Sequence, residues 1–544
     1  MRRAFMLPLL VLGAASSSAC SSGEILEPQG AGKARERGAG QTTSVEIGQA
    51  SNAFASAEST LVDFTWDGEL LTDWQGGATN DIRQQVLYTV GQLNGHDSVG
   101  QMERLVVSNV VTAQQPGGRW LVTYHATMPV AWNNRYARPS TFTFTLPRSA
   151  YWEGLVSFAA TYGTRCVDRS AHDVDAGSMF YFYRPRASGC SFAPGDVVSA
   201  VATVAPSLEN TVGKYPEYHR IWQDDSLEAV VVFGKYDEGA TTSQDYGIRG
   251  YNLFIAATRQ ELARIGTNVT TDPPVLSPNP GVAQPDVTLR ADMPYGKSAT
   301  IHILLSDNVS KEGPAWNARF AALTPKADVI LYNGHSGLGA NIRNLLGKGS
   351  WEAGQYLIFF MNGCDTFAYV DGRLREARQA LNPDDPTSTK YLDMVTNAMP
   401  SYADAFDSEP VLLDALLDWQ NPKPYTQIFR GIDRRQVVIV TGEEDNEFVP
   451  GTPVGTQNPP VNPGPGDAGS GPKDGGPKDS GVPGPRPGSD SGVPGPGARP
   501  APEVGTVDGC GCETAPTGKG EGGPLWALAL SAGAALVLAR RKRG

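Results

Sequence analysis

No part of the sequence outside its two terminal segments is rich in lysine and arginine. The formal net charge is −12, and the isoelectric point is near 5.1. Proteins that bind nucleic acid present a basic patch to the phosphates. The charge distribution therefore excludes nucleic acid as a partner.

Cysteine is scarce, with six residues in a chain of 544. Cys166 and Cys190 flank a segment rich in tyrosine and phenylalanine, and we predict that they form a disulfide, as cysteines of exported proteins commonly do. Two separate thiols are the alternative. Cys364 is the odd cysteine left over. Three more lie in the terminal segments: Cys20, Cys510 and Cys512.

The N-terminal segment has the features of an export signal. Residues 1–19 carry two arginines, then an apolar stretch, then small residues, in the order that such a signal requires. Cys20 follows directly, and Cys-Ser-Ser-Gly at this place resembles a bacterial lipoprotein signal, which implies acylation of Cys20. Ser17 stands where that signal usually has leucine, so a cysteine that merely lies beside the cleavage site is the alternative.

The apolar run at the other end, residues 524–539, is shorter than an ordinary membrane-spanning helix. Sixteen helical residues extend about 24 Å, whereas the hydrocarbon core is about 30 Å thick. The basic residues 540–543 after it would stay in the cytoplasm. Cys510, Cys512, a glycine-rich spacer, this run and the basic cluster resemble the myxobacterial C-terminal sorting tail over residues 509–544. The resemblance implies processing and attachment at the cell surface; a stop-transfer helix behind a dithiol is the alternative.

Two segments contain too few apolar residues to form a core. Residues 20–52 are rich in Gly, Ala, Ser and charged residues, which predicts a flexible lead-in. Residues 449–508 are dominated by Pro, Gly, Asp and Ser, and the block Asp-Ser-Gly-Val-Pro-Gly-Pro occurs twice, at 479–485 and at 490–496. We expect an extended stalk there.

The remaining residues predict two domains. Residues 53–210 contain short runs that alternate apolar and polar residues, which predict a β-rich, sandwich-like domain. Residues 211–448 alternate apolar strands with helical stretches, which predicts an α/β domain with a mostly parallel sheet. Its predicted strands are 229–233, 300–305, 328–332, 356–360 and 436–441, and its predicted helices are 251–265, 315–323, 340–346 and 369–381. Active sites of such sheets gather at the carboxyl ends of the strands.

Two consecutive predicted strands end in residues that can do chemistry. Residues 328–332 run into Asn-Gly-His335-Ser-Gly, and residues 356–360 run into Met-Asn-Gly-Cys364. If these strands are neighbours, a thiol and an imidazole emerge at one edge, an arrangement suited to acyl transfer. Taken singly, each residue also has an ordinary structural explanation, since a strand-end cysteine is often a small buried apolar residue.

An apolar strand that ends in His and Gly, followed 29 residues later by Cys after a strand and Gly, resembles the caspase-like cysteine peptidases, among them gingipains, clostripain, legumain and metacaspases. The resemblance covers about residues 225–445. It implies an α/β caspase-like domain in which Cys364 is the nucleophile and His335 the general base and acid. The backbone at Ser336, Gly363 and Cys364 would form the oxyanion hole. Ser336 is a departure, because the family usually has glycine directly after the histidine.

In this family a charged pocket residue selects the substrate, and Asp307 and Asp365 are the candidates. Asp307 would receive a basic side chain, although an aspartate in Ser-Asp-Asn is also typical of a turn or a helix start. Asp365 is a candidate because it lies in the loop beside Cys364. We expect no cofactor and no metal, since zinc at His335 and Cys364 would need two further ligands.

Together these expectations describe a surface-anchored cysteine endopeptidase that acts on peptides or proteins. The alternative is a non-catalytic pseudo-enzyme or adhesin that keeps the fold and binds partners outside the cell. The same thioester intermediate would also serve transpeptidation or amidation. The role of the β-rich domain stays open between a partner-binding module and an inhibitory pro-region, and the oligomeric state is not indicated.

Overall fold

The computed structural model describes residues 45–46, 53–169, 171–398 and 404–456. The predicted signal segment, most of the lead-in, most of the stalk and the whole sorting tail lie outside these ranges. The predictions for Cys20, Cys510 and Cys512 therefore also fall outside the described residues.

The first half of the described chain is an antiparallel β structure. Its strands are β1 (Val45–Glu46), β2 (Ala55–Ser56), β3 (Ser59–Thr72), β4 (Val99–Gly100), β5 (Val106–Gln114), β6 (Trp120–Asn133), β7 (Thr141–Pro147) and β8 (Val197–Pro206), and its helices are α1 (Ala78–Asn94), α2 (Trp152–Tyr162) and α3 (Met179–Phe182). Among the described residues, seven of these strands form a sheet in the order β1-β5-β6-β3-β8-β7, with β4 beside β6. Residues 45–46, predicted to belong to the flexible lead-in, thus add a short strand to β5.

The β-rich domain is confirmed, but it is a half-barrel and not the predicted sandwich. One curved sheet packs against α1, which contacts β3, β4 and β7. Ile82, Val86, Val90 and Leu93 of α1 are fully buried in the same core as the sheet. Their spacing is helical, so one face of α1 is apolar and takes the place that a second sheet would have filled.

The predicted disulfide between Cys166 and Cys190 is present in the half-barrel. Cys166 is completely buried, and Cys190 packs against the same core. Disulfides persist in oxidising compartments, so this bond indicates an exported protein. In the part of the chain that the structure describes, no helix is long and apolar enough to span a membrane.

The second half is an α/β domain with a mixed, largely parallel sheet, as predicted. Its strands are β9 (Ser226–Gly234), β10 (Thr267–Asp272), β11 (Asp286–Met293), β12 (Lys297–Ser306), β13 (Val329–Asn333), β14 (Leu357–Asn362), β15 (Leu392–Asn397) and β16 (Val438–Thr441). Its helices are α4 (Tyr218–Ile221), α5 (Tyr246–Ile265), α6 (Pro314–Leu323), α7 (Ala340–Leu346), α8 (Thr366–Tyr369), α9 (Arg373–Leu381), α10 (Ser408–Leu417) and α11 (Tyr425–Phe429). The nine strands of this sheet within the described residues run in the order β10-β11-β12-β9-β13-β14-β15-β16-β2.

The five central strands β12, β9, β13, β14 and β15 are parallel, and the outer strands are antiparallel. Both faces of the central strands are covered, which explains their nearly continuous apolar sequence. In β13, Val329 and Leu331 belong to the core on one face, whereas Ile330 and Tyr332 belong to the core on the other.

The two halves share structure across the predicted boundary at residue 210. Strand β2, from the first half, pairs with β16 at the edge of the second sheet. Helix α8, from the second half, contributes Phe367 and Tyr369 to the half-barrel core. At the C-terminal side, Phe448 and Val454 are buried in the α/β domain, so the folded chain continues into the segment predicted as stalk.

The disulfide generates a stability prediction. Replacing both Cys166 and Cys190 by alanine should lower the free energy of unfolding by about 3 kcal/mol, because the bond closes a loop with a sequence separation of 24 residues. Urea unfolding of wild type and variant under oxidising conditions measures the difference. Wild type treated with reductant is the matched control and should fall to the level of the variant. Equal midpoints for oxidised wild type and variant would contradict the prediction.

Candidate functional site

Strands β13 and β14 are parallel neighbours, and their register aligns Asn333 with Asn362. His335 and Cys364 each lie two residues beyond these asparagines, so both follow the strands at the same edge of the sheet. The two loops touch, since the amide of Gly334 donates to the carbonyl of Asn362 at 3.2 Å. The structure thus places the two residues that the sequence singled out on adjacent loops at one edge of the sheet.

Glycine at position 363 is required by this close approach. A Cβ atom there would lie 2.7 Å from the carbonyl oxygen of Gly334 and 3.4 Å from the amide nitrogen of Ser336. The first distance is shorter than any ordinary contact, so a larger residue would push the loops apart. The backbone at Ser336 and Gly363 is therefore adjacent, as the expected oxyanion hole requires.

The surroundings of His335 determine which of its nitrogens can act as a base. Its Nε2 lies 2.9 Å from the carbonyl oxygen of Tyr236, which follows β9. A carbonyl only accepts, so in the neutral ring Nε2 carries the proton and Nδ1 holds the lone pair. Nδ1 is buried and has no hydrogen-bond partner among the described residues. The ring of Tyr236 packs on the imidazole at a centroid distance of 4.8 Å.

The loop that carries His335 is anchored through its own backbone. The carbonyl oxygen of His335 accepts hydrogen bonds from the Tyr332 hydroxyl at 2.7 Å and from the Asn341 side-chain amide at 2.9 Å. One donor lies on β13 and the other on α7, so the loop is tied to the elements on both sides of it. The imidazole is half-buried, and Ser336 is buried.

Cys364 is fully buried and is not part of the disulfide. The sequence reasoning expected a thiol at an accessible strand end, and this burial is a difference from that expectation. Tyr369 lies close by: burial raises the pKa of its hydroxyl, and the neighbouring Asp365 and Cys364 raise it further. Helix α8 follows Cys364 directly and packs into the half-barrel core.

Both loops contain backbone conformations that favour glycine. Asp365, directly after Cys364, has φ 50°, and Leu338, three residues after His335, has φ 51°. Left-handed conformations at residues with a Cβ cost about 1 kcal/mol or more and are concentrated at functional sites. The strain on the two loops is a physical reason to regard this sheet edge as a functional site.

A buried carboxylate that the sequence analysis missed lies beneath both loops. Oε1 of Glu409, in the first turn of α10, accepts hydrogen bonds from Nδ2 of Asn333 at 2.9 Å and Nδ2 of Asn362 at 2.6 Å. Asn397, at the end of β15, donates to Oδ1 of Asn362 at 2.9 Å. The available signal was an asparagine at the end of three consecutive parallel strands. Glu409 itself gave no signal, because it lies far along the chain from both motifs.

Asp365 is buried at the contact between the two domains and does not line a pocket open to solvent. Its Oδ2 accepts a hydrogen bond from Nδ2 of Asn94 at 2.8 Å. Burial raises the pKa of Asp365 to about 7, although Asn94 and Arg184 favour the charged form. The side chain of Asp365 faces Asn94 of the half-barrel in this structure, and its role in substrate binding stays a prediction.

Asp307 lies beyond the end of β12, at the same edge of the sheet, and is exposed. Its Oδ1 accepts from Nζ of Lys235 at 2.7 Å and from the amide of Gly239 at 2.9 Å. Partial burial acts to raise the pKa of Asp307, but these two hydrogen bonds outweigh it and hold the pKa below its ordinary value. The Asp307 carboxylate therefore already forms an ion pair with Lys235, and a basic substrate would have to compete with this lysine.

Within the described ranges, no group of three or more His, Cys, Asp or Glu side chains is arranged to hold a metal ion. Comparisons with protein-family models, curated proteins and solved structures find no match. The architecture is an antiparallel β half-barrel followed by an α/β domain with a mixed, largely parallel sheet. In the α/β domain, a histidine and a cysteine follow two adjacent parallel strands.

The hydrogen bonds of Glu409 generate a second prediction. Glu409→Ala should lower the free energy of unfolding by about 3 kcal/mol, because Asn333 and Asn362 would keep buried amide donors without their acceptor. Glu409→Gln should cost less, since it retains an acceptor oxygen of the same shape. Urea unfolding measures both.

Glu376→Ala is the control for Glu409→Ala, because it removes a glutamate from an exposed position on α9. It should change the free energy of unfolding by less than about 0.5 kcal/mol. An effect of Glu409→Ala no larger than that of the control would contradict the bridging role.

The buried carboxyl groups generate a prediction on pH. Burial raises the pKa to about 7 for four of these groups and to about 8 for a fifth: Glu103, Asp365, Asp393, Glu409 and Glu443. The folded state holds these protons more tightly than the unfolded state, so stability falls as pH rises through the folded values. Between pH 6 and pH 8, each group with a pKa near 7 should lower the free energy of unfolding by about 1 kcal/mol.

Urea unfolding at half-unit steps from pH 5 to pH 9 measures this dependence. Glu409→Gln should reduce the slope, because the amide does not titrate. A free energy of unfolding that increases from pH 6 to pH 8 would contradict the prediction.

Proposed function

We propose that this protein is an exported, surface-held cysteine peptidase of caspase-like type, with Cys364 as nucleophile and His335 as general base and acid. The observation that carries the proposal is the register of β13 and β14, which sets a histidine and a cysteine equally far beyond two paired strand ends. The two loops are in contact through Gly334 and Gly363.

The tautomer of His335 suits the base that acyl transfer needs. With Nε2 donating to the Tyr236 carbonyl, Nδ1 is free of a proton and has no hydrogen-bond partner among the described residues, so it would take the proton of the Cys364 thiol once the two groups approach. The thiolate attacks the substrate carbonyl, and the C–N bond breaks as His335 returns the proton to the leaving amine. Water then attacks the thioester, giving up a proton to His335, and the carboxylic acid and the thiol are released.

The backbone beside the two residues supplies the electrostatic part of this reaction. The amides of Ser336 and Cys364 would donate to the oxyanion of the tetrahedral intermediate, and Gly363 permits the close approach of the two loops that carry them. The departure from the family pattern at Ser336 is minor in this respect, because Ser336 is buried and little of its side chain remains at the surface.

The resemblance to caspase-like peptidases adds the expectation of a peptide or protein substrate. The sorting-tail and lipoprotein resemblances add attachment at the cell surface, and the disulfide agrees with export. Because Cys364 has no exposed surface, the proposed reaction requires a conformational change that exposes the thiol and keeps the two loops in contact. Small reagents should therefore react faster than bulky ones.

A second candidate function is a non-catalytic surface protein that binds partners and keeps the two loops as structural elements. The observation that favours it is the complete burial of Cys364.

Transpeptidation or amidation uses the same first half-reaction, with an amine in place of water. Mass spectrometry of peptide products formed in ¹⁸O-water separates hydrolysis from transfer to an amine, because hydrolysis alone adds a labelled oxygen.

Covalent labelling tests the proposed pair. Iodoacetamide and a peptide acyloxymethyl ketone should both modify Cys364 in the wild type, and Cys364→Ala should abolish this modification. His335→Ala should slow the ketone reaction by about 100-fold or more, since a general base contributes at least that factor.

His125→Ala is the matched control for the labelling test, because His125 lies on the half-barrel and pairs with Asp67 away from the sheet edge. It should label at the wild-type rate. Labelling that is equally fast with and without His335 would identify Cys364 as an ordinary thiol and leave the binding protein as the function.

A further inference from the structure

The half-barrel reaches the residue that directly follows Cys364. Asn94 is the last residue of α1, and its side-chain amide donates to the carboxylate of Asp365 at 2.8 Å, across 271 positions of sequence. Both residues are buried. The candidate nucleophile is therefore next to a contact between the two domains.

Asp365 combines an unusual backbone conformation with a side-chain hydrogen bond from the other domain. It occupies the left-handed region, with φ 50° and ψ 32°, and it immediately precedes α8. Aspartate and asparagine tolerate this conformation better than other residues with a Cβ. The polar and charged groups that favour the charged form of Asp365 are Asn94 and Arg184, and both belong to the half-barrel.

Arg184 is itself held by the end of α1. Its guanidinium donates to the carbonyl of Gly91 and lies 3.6 Å from Asp168. Gly91 and Asn94 are on the same final turn of α1, so this turn both fixes Arg184 and donates to Oδ2 of Asp365.

Helix α8, which follows Asp365, also packs against the half-barrel. Its residues Phe367, Ala368 and Tyr369 are part of the half-barrel core. The ring of Phe367 packs edge-on against Phe54 at 5.9 Å. The chain on the C-terminal side of Cys364 is thus built on the first domain, whereas the chain on its N-terminal side belongs to the α/β sheet.

We propose that Asn94 is a positioning residue for Cys364, and that the half-barrel is an integral part of the site and not a separable pro-region. This inference rests on the proposed function. Asn94 does not touch the reacting atoms; it holds Asp365 in the left-handed conformation, and that conformation directs the thiol and the adjacent amide. Misplacement of a reacting group by about 1 Å can cost a factor of about 100 in rate.

A swap of the hydrogen-bonded pair tests the inference. Asn94→Asp removes the amide that donates to Asp365 and adds a second buried acidic group beside it, and the rate of Cys364 labelling by the peptide acyloxymethyl ketone should fall at least about tenfold. The double variant Asn94→Asp with Asp365→Asn restores a donor and an acceptor in reversed direction. Because asparagine also tolerates the left-handed region, the double variant should label within about threefold of the wild type.

Hydrogen exchange of residues 363–369 gives a readout that does not require catalysis. Exchange should accelerate in Asn94→Asp and return to the wild-type rate in the double variant. His125→Ala is the matched control: His125 also lies in the half-barrel, on β6, but it pairs with Asp67 away from the domain contact. It should leave both the labelling rate and the exchange of 363–369 unchanged.

Unchanged labelling and exchange in Asn94→Asp would overturn the inference. Faster labelling in Asn94→Asp would also overturn it, because the half-barrel would then act as a cover over Cys364. If wild-type labelling does not depend on His335, the proposed function fails, while the exchange rates of residues 363–369 still decide whether Asn94 holds the loop.

Discussion

The register between β13 and β14 is the constraint on which the site depends. Parallel pairing aligns Asn333 with Asn362, and His335 and Cys364 each follow two residues later. A slip of one position would turn the alternating side chains of a strand to the opposite face, and both faces here are packed with apolar residues. Glu409 reinforces the register because a single carboxylate oxygen accepts from both asparagines.

The second constraint is that the two domains are interlocked at the site. Strand β2 of the first half completes the edge of the second sheet, and helix α8 of the second half lies in the half-barrel core. The loop with Cys364 is held on one side by the sheet and on the other by Asn94. The same packing that orders the loop also buries the thiol and the carboxyl of Asp365, which accounts for the raised pKa of that carboxyl.

Much of the parallel sheet could be predicted, because strands covered on both faces are continuous apolar runs. Strand β15 was missed, since its sequence Leu-Asp-Met-Val-Thr-Asn contains three polar residues. The structure explains them: Asp393 accepts from the hydroxyls of Tyr356 and Tyr425, and Asn397 bonds to Asn362. Helix α1 was missed although its apolar residues have helical spacing. The predicted helix 369–381 is divided into α8 and α9.

The sequence by itself determined which segments are apolar strands and that Cys166 and Cys190 would pair, and it singled out His335 and Cys364 as candidate residues. These features depend on residue type and on neighbours along the chain. Only the tertiary structure decided that Cys364 is buried, that Asp365 faces Asn94, and that Glu409 joins the two motif strands. The physical reason is that hydrogen bonds and burial depend on distances in space, and these partners are far apart along the chain.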